Sequence, residues 1–167
     1  MKNIILSLAL VLPLVLSAQY SSHFLQRFTE SGKTGWRFST ATAANYGDIG
    51  SEAVDLSYSN SSSTTIGATG NYSIAMGYEP TASHDASTAI GSSTVASGWA
   101  STAMGLSTTA SNSFSTSMGK YTQASGNAST AMGESTTASG EQSTSMGKNT
   151  TASGSRSTAM GYNTSAS

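Results

Sequence analysis

The sequence predicts an all-β protein, a parallel β-solenoid built from coils of 14 residues. Three observations predict this fold. From Asn71 the chain divides without a gap into seven segments of 14 residues, the last one residue short. Within the segments, position 3 is always serine, position 7 glycine, position 12 alanine and position 13 serine. Every charged or aromatic side chain falls at position 1, 2, 8 or 9, which marks two corners where the chain turns.

Two strands of five residues are predicted between the corners. Their consensus sequences are S-T-A-M-G at positions 3–7 and T-T-A-S-G at positions 10–14. Each strand ends in a residue that tolerates a positive φ, which is glycine at position 7 and glycine, Asn112 or His84 at position 14. Stacked at about 4.8 Å per coil, seven copies form a rod roughly 34 Å long.

The alternation of side chains along each strand predicts which columns face inward. Positions 5 and 12 are small in every copy, so they meet inside a thin sandwich, while positions 4, 6, 11 and 13 point outward. The opposite assignment buries several columns of hydroxyls with little room for partners, at about 1–3 kcal/mol for each unpaired group.

An outward position 6 predicts an exposed apolar column along one face. Such a stripe is typical of an interface, and three rolls that place these faces around a shared axis would bury it. The alternative is that methionine fills the interior of the roll, as it commonly does in cores. The predicted trimer interface consists of Met76, Ile90, Met104, Met118, Met132, Met146 and Met160.

The N-terminus is typical of an export signal. A lysine at position 2 precedes an apolar run from Ile4 to Leu16, which is too short to span a bilayer comfortably, and Ser17 and Ala18 follow it. We therefore predict a signal peptide over residues 1–18.

Residues 19–70 are predicted to form a capping, lead-in β region, because the exposed end of a solenoid is a sheet edge. Short alternating segments at residues 34–37 and 46–56 are its candidate strands. Thr65–Ile66–Gly67 precedes Met76–Gly77 by ten residues and is interpreted as an out-of-phase first coil. The repeats themselves occupy residues 71–167.

Composition excludes several classes of function. The 167 residues contain no cysteine, so disulfide scaffolds, cysteine zinc sites and thiol catalysis are excluded. The net charge is −1 and charged residues make up 9% of the chain, which argues against electrostatic binding of nucleic acid. Serine and threonine form about a third of the chain, and the repeat places most of them in columns.

No catalytic, metal or cofactor site is predicted. His23 and His84 are isolated and have no metal-ligand spacing, and the acidic residues of the repeats are single corner residues. The Gly-x-Ser-x-Gly nucleophile motif is absent. We therefore expect a protein that is not an enzyme.

The repeat resembles the head of the trimeric autotransporter adhesins of the YadA type, whose motif N-S-V-A-I-G is followed by a short spacer and S-x-A-x-G. The matching segments here are residues 72–77 (Y-S-I-A-M-G), 86–91 (A-S-T-A-I-G) and their five successors. The resemblance implies a left-handed parallel β-roll, three chains side by side and adhesion at the cell surface. Methionine and threonine replace the usual isoleucine and valine, and no neck, stalk or C-terminal membrane anchor follows.

We therefore expect the head of an exported homotrimeric adhesin or fibre at the cell surface or outside the cell. A host, matrix or neighbouring-cell surface is the expected ligand, and membrane contact is expected only through a C-terminal anchor missing from this sequence. The alternative is an ice-binding solenoid with a hydroxyl ladder at positions 11 and 13, which Val95 and Gln123 interrupt. The candidate ligand surface consists of Trp99, Phe114, Lys120 and Tyr121.

Overall fold

The computed structural model describes residues 25–167, which form two β-sheets. The predicted signal peptide, residues 1–18, and His23 lie outside these residues. The long sheet has ten strands and the short sheet has eight, and each coil of the repeat contributes one strand to each sheet. The predicted all-β solenoid of parallel strands is thus confirmed. Within residues 25–167, no helix has the length and apolar character needed to cross a membrane.

The long sheet contains β1, β2 and the odd-numbered strands from β3, and the short sheet contains the even-numbered strands from β4. One turn of 3-10 helix, Ala43–Asn45, lies between β2 and β3. The strands are β1 (Leu25–Glu30), β2 (Lys33–Phe38), β3 (Val54–Tyr58), β4 (Gly67–Ala68), β5 (Ile74–Tyr78), β6 (Thr81–Ala82), β7 (Thr88–Ser92), β8 (Val95–Ala96), β9 (Thr102–Leu106), β10 (Thr109–Ala110), β11 (Thr116–Lys120), β12 (Gln123–Ala124), β13 (Thr130–Glu134), β14 (Thr137–Ala138), β15 (Thr144–Lys148), β16 (Thr151–Ala152), β17 (Thr158–Tyr162) and β18 (Ser165–Ala166).

The strands pair in the register that the 14-residue repeat predicts. Met118 lies beside Met132, and Gly119 beside Gly133, in the long sheet. In the short sheet Ala110 lies beside Ala124. Residues at the same position of successive coils therefore form continuous columns along the solenoid.

The strand boundaries differ from the predicted ones. The long strands cover positions 4–8, and the short strands cover positions 11 and 12 alone. The chain turns at positions 2 and 9, where the backbone is left-handed. Ala86, at position 2, has φ 57° and donates its N–H to the carbonyl of Asn71 at 2.8 Å. Ser93, at position 9, has φ 52° and donates to Tyr78 at 2.8 Å. These turns bond each coil to its predecessor and shorten the second strand.

The glycines at positions 7 and 14 have different physical roles. Gly105, at position 7, has φ 120°, and a Cβ there would also overlap the carbonyl oxygen of Gly119 in the next coil. Gly126, at position 14, lacks a positive φ, so the prediction of a left-handed residue there is wrong. Its constraint is close approach, because a Cβ would overlap the carbonyl of Gly140.

The core contains four columns of small side chains. The alanines of positions 5 and 12 are buried, as predicted, with Ala103 and Ala110 fully inaccessible. The serines of position 3 are also buried, and Ser101 Oγ donates to the carbonyl of Gly98 at 2.7 Å. A buried threonine column at position 10, which includes Thr108, was not predicted.

The N-terminal region ends the long sheet with an antiparallel hairpin. β1 and β2 are joined by Ser31 and Gly32, both with positive φ, as in a tight two-residue hairpin turn. β2 then pairs in parallel with β3, and β3 with β5.

The first coil, which contains β3 and β4, has an insertion between its long and short strands. Leu56 is the partner of Met76, whereas Gly67 pairs with Thr81. Gly67 of the segment Thr65–Ile66–Gly67 thus begins the short strand β4 of a coil that precedes the repeats, in a different phase from Met76–Gly77. Six extra residues between β3 and β4 account for the phase shift.

Candidate interaction surfaces

The outer face of the long sheet carries the predicted methionine column. Ala75 and Ala89 are fully buried, whereas Met76 is 41% exposed and Met160 59%. The outward orientation of position 6 is thus confirmed, and the alternative in which methionine fills the interior is wrong. We call this column the methionine ridge: Leu56, Met76, Ile90, Met104, Met118, Met132, Met146 and Met160.

The ridge continues one coil beyond the predicted interface. Leu56 occupies position 6 of the first coil, but the insertion hides it from a search at a 14-residue spacing. The outward columns on either side of the ridge change along the axis. Val54 and Ile74 occupy position 4 at the N-terminal end, and threonine occupies that position in every later coil. The ridge is therefore flanked by more apolar surface near residues 54–78 than further on.

The candidate ligand residues lie at two separate corners of the coil. We call positions 1 and 2 the first edge and positions 8 and 9 the second edge. Trp99 and Phe114 lie on the first edge, whereas Lys120 and Tyr121 lie on the second. A long strand separates positions 1 and 2 from positions 8 and 9 in every coil. The four residues therefore form two surfaces, and the predicted single surface is divided.

On the first edge, Trp99 and Phe114 form an aromatic pair. Their ring centroids are 4.7 Å apart and the rings are almost perpendicular, at 87°. This edge-to-face geometry is favourable for two aromatic rings. Both side chains are nevertheless about half exposed, at 44% and 53%.

On the second edge, the aromatic rings are mixed with charges. The Lys120 ammonium lies 5.1 Å from the centroid of the Tyr121 ring. Glu134 and Lys148, one and two coils further along, form an exposed ion pair at 3.2 Å. Such surface pairs contribute little to stability, about 0–1 kcal/mol. The second edge is thus a polar, charged surface.

A buried ionic cluster joins the hairpin to the first coil and was not predicted. Arg37 is 2% exposed and pairs with Asp55 at 3.0 Å and with Glu30 at 3.0 Å. Its remaining terminal nitrogen donates to the carbonyl of Gly47 at 2.9 Å. Asp55 occupies position 5, where the repeats carry alanine or serine. The cluster therefore closes the N-terminal end of the alanine core with paired charges.

Tyr46 completes this cluster. The Arg37 guanidinium lies 4.9 Å from the centroid of its ring, and its hydroxyl donates to the carbonyl of Ser57 at 3.2 Å and accepts the N–H of Ser59 at 3.0 Å. Burial raises the pKa of the Tyr46 phenol above the ordinary 10.0, and the negative charge of Asp55 adds to the effect. The phenol is therefore held as a neutral hydrogen-bonding group that fixes the loop after β3.

The residues that could bind a metal or catalyse a reaction are dispersed. Among residues 25–167, no group of three or more histidine, aspartate or glutamate side chains could hold a metal ion. His84 accepts the N–H of Asp85 at its own Nδ1, at 2.9 Å, which is a local turn contact. A shallow cleft of about 350 Å³ in the cap is lined by residues that include Lys33, Asp48 and Thr64.

The repeats match the model of a known domain family. The YadA head domain repeat, as a two-copy unit, matches residues 68–94, 96–122, 124–150 and 152–167. Each complete match covers two of the 14-residue coils, and together the matches cover more than half of the chain. The chain belongs to the YadA head family. A search of curated proteins finds no match to the sequence.

Membership of the YadA head family agrees with the surfaces described above. It is a family of adhesin domains from the bacterial surface, and its members are not enzymes. The YadA head matches begin in the first coil and continue to the end of the sequence, so they include most of the methionine ridge and both edges. Nothing in the comparisons supports the ice-binding alternative.

Proposed function

We propose that this chain is exported and forms a homotrimeric adhesin head in which each subunit buries its methionine ridge against the other two. The observation that carries the proposal is the outward orientation of the ridge, an apolar column in which Met76 and Met160 are 41% and 59% exposed and the other members are half-buried. Contiguous apolar surface of this kind marks an interface. The YadA head family is known for trimers, which supports three as the number of subunits.

The core of a single chain buries little apolar surface, so burial of the ridge would contribute a large share of the stability. The fully buried side chains of the repeats are mainly alanine, serine and threonine, which supply little apolar area. Fully burying a large apolar side chain contributes roughly 1.5–3 kcal/mol. Seven ridge residues in the repeats therefore make trimer formation a large stabilising contribution compared with the packing inside one chain.

Sedimentation of the purified protein tests the trimer. The wild type is expected to sediment as three chains, and Met118→Glu to dissociate because it places a carboxylate in the middle of the ridge. Thr109→Glu, on the outer face of the short sheet, is the matched control and should remain trimeric. A wild type that is folded and monomeric would falsify the proposal, and so would a Met118→Glu variant as trimeric as Thr109→Glu.

Beads coated with the protein test the adhesive role. Wild-type beads are expected to attach to cultured cells, bacterial cells or wells coated with extracellular matrix, in larger numbers than beads coated with albumin. Attachment no greater than that of the albumin beads on all three surfaces would contradict an adhesive function. Export is tested separately, by the appearance of a processed chain outside the cytoplasm, which the apolar run at Ile4–Leu16 predicts.

A further inference from the structure

The first edge carries a row of exposed rings aligned with the solenoid axis. Tyr72, Trp99 and Phe114 occupy it in the first, third and fourth repeat coils. They are 68%, 44% and 53% exposed. At about 4.8 Å per coil, Trp99 lies roughly 10 Å and Phe114 roughly 14 Å along the axis from Tyr72. The row is therefore as long as a short linear oligomer.

Hydrogen bonds between coils keep this row straight. The N–H of position 2 donates to the carbonyl of position 1 in the preceding coil. Ala100 donates to Asp85 at 3.0 Å, Phe114 to Trp99 at 2.8 Å and Ala128 to Ser113 at 2.9 Å. The backbone thus fixes the spacing of the residues that carry the rings, and a ligand laid along the edge meets a prearranged backbone.

Folding does not require aromatic rings at these positions. Alanine occupies position 2 in the second, third and fifth repeat coils counted from Asn71, as Ala86, Ala100 and Ala128. The backbone there is left-handed, with φ 59° at Phe114, a conformation that is unfavourable for a bulky side chain. Phe114 nevertheless stands in that conformation with about half of its surface in water. A role in binding explains the rings better than a role in the core.

The groups around the rings favour a neutral ligand that is rich in hydroxyls. Asn71, Ser113 and Asn127 supply amide and hydroxyl groups at position 1 of neighbouring coils. In the first five repeat coils, residues 71–140, Asp85 is the one charged side chain at positions 1 and 2. Glu52, at position 2 of the coil before them, is paired with Arg27 at 3.7 Å. The absence of cations at positions 1 and 2 of these five repeat coils disfavours nucleic acids and acidic polysaccharides.

A sugar chain fits this pattern better than a peptide. The faces of aromatic rings carry partial negative charge and attract the C–H groups on one face of a pyranose ring, while amides and hydroxyls pair with its hydroxyls. A peptide added along a sheet edge is held mainly by main-chain hydrogen bonds. The N–H groups of Ala86, Ala100 and Phe114 already donate to the preceding coil.

We propose that the first edge binds a linear, neutral oligosaccharide that lies along the solenoid axis, with Trp99, Phe114 and Tyr72 as its aromatic contacts. The inference rests on the proposed adhesive function and names the chemical class of the surface ligand. Lys120 and Tyr121, which lie on the charged second edge, are not part of this proposed site.

Binding of cellotetraose and chitotetraose to the assembled protein, measured by titration calorimetry, tests the proposal. The variant Trp99→Ser with Phe114→Ala replaces the rings by residues that other coils carry at the same positions, such as Ser113 and Ala100. It is expected to keep its fold and to lose about tenfold or more in affinity. The matched control Tyr121→Ser removes a ring from the second edge, where Ser93 and Ser107 occupy the same position, and should bind as the wild type does.

Two binding results would overturn the proposal: a wild type that binds neither tetrasaccharide, or binding unchanged in the double variant. Quenching by acrylamide adds a check, because the chain has two tryptophans and Trp36→Phe leaves Trp99 as the sole one. Trp99 must be quenched in the assembled protein, and protection there also overturns the proposal. Beads that attach to cells without tetrasaccharide binding refute the sugar ligand and leave the adhesin intact. Tetrasaccharide binding without attachment refutes the adhesive function alone.

Discussion

The cap, residues 25–70, and the repeats, residues 71–167, achieve stability by opposite means. Each repeat coil is held by neighbours of nearly identical sequence, through straight ladders of backbone hydrogen bonds and a core of small side chains. The cap buries larger and more polar groups, including Arg37, Asp55, Tyr46 and Ile49. In addition to the backbone pairing of its strands, the cap is held by side-chain contacts that occur once each.

This difference shows what is needed to end a regular stack. A coil in the middle of the solenoid presents the same columns above and below, so small residues suffice to fill the space between its two sheets. The first coil has no preceding repeat, and Asp55 replaces the alanine of position 5 there. Arg37, delivered by the hairpin, neutralises that carboxylate and fills the end of the core. The cap thus covers the end of the alanine core with a buried ion pair.

The largest effect is expected from a glycine that the stacking of coils requires. Gly105→Ala combines a φ of 120° with overlap between the new Cβ and the carbonyl of Gly119. The loss of stability should exceed the roughly 1–3 kcal/mol of a strained backbone and reach about 5 kcal/mol or more, because the backbone of the neighbouring coil must also move. Urea unfolding at fixed protein concentration measures it.

The cap provides the control for this substitution. Gly32, in the hairpin turn, has φ 77°, but no atom lies within 4 Å of its added Cβ. Gly32→Ala is therefore expected to cost about 1 kcal/mol, from the backbone alone. If the two variants lost equal stability, close packing between coils would not be the reason for glycine at position 7.

A smaller but still large effect is expected from the buried ion pair of the cap. Arg37→Met leaves Asp55 buried without its partner, and such losses cost about 3–5 kcal/mol. Lys148→Met removes the exposed partner of Glu134 in the repeats and should cost about 0–1 kcal/mol. Thermal unfolding compares the two. Similar losses would show that the Asp55 carboxylate is solvated in solution.

The repeats could be predicted from the sequence because the same residue types recur at the same positions of seven consecutive segments. The constant small residues at positions 5 and 12 gave the inward faces, and the alternation of residues then placed Met104 and its equivalents outside. The same frame puts Trp99 and Tyr121 at different corners, at positions 1 and 9, although both were assigned to one ligand surface. The short second strand was missed because position 13, although bonded to the next coil, already belongs to the turn.

The cap could not be predicted in the same way, because its contacts depend on pairings that occur once. Glu30, Arg37 and Asp55 are seven and eighteen residues apart, and no periodicity brings them together. The six-residue insertion before β4 also breaks the register of the first coil, which hid Leu56 at the end of the ridge. Long-range charge pairs and insertions of this kind leave no pattern in a single sequence.

The smallest effect is expected at position 10, where the buried threonine hydroxyl is paired in some coils and unpaired in others. Thr122 Oγ1 lies 2.7 Å from Ser117 Oγ, whereas Thr108 faces alanine at position 5 and its buried hydroxyl has no partner within the described residues. Thr122→Val leaves the buried hydroxyl of Ser117 without a partner and should lower the free energy of unfolding by about 1–3 kcal/mol. Thr108→Val removes an unpaired hydroxyl at constant shape and should stabilise by about 1 kcal/mol.

The double variant Ser117→Ala with Thr122→Val separates pairing from shape. It removes both hydroxyls and gives the fourth coil the apolar pair that Thr108→Val creates in the third, so it should recover most of the stability lost in Thr122→Val. Urea midpoints at one protein concentration decide between the variants, since assembly also contributes to stability. If both Thr→Val variants were equally destabilised, water or a small backbone shift would satisfy Thr108. The buried hydroxyl of Thr108 would then be paired, like those of Ser117 and Thr122.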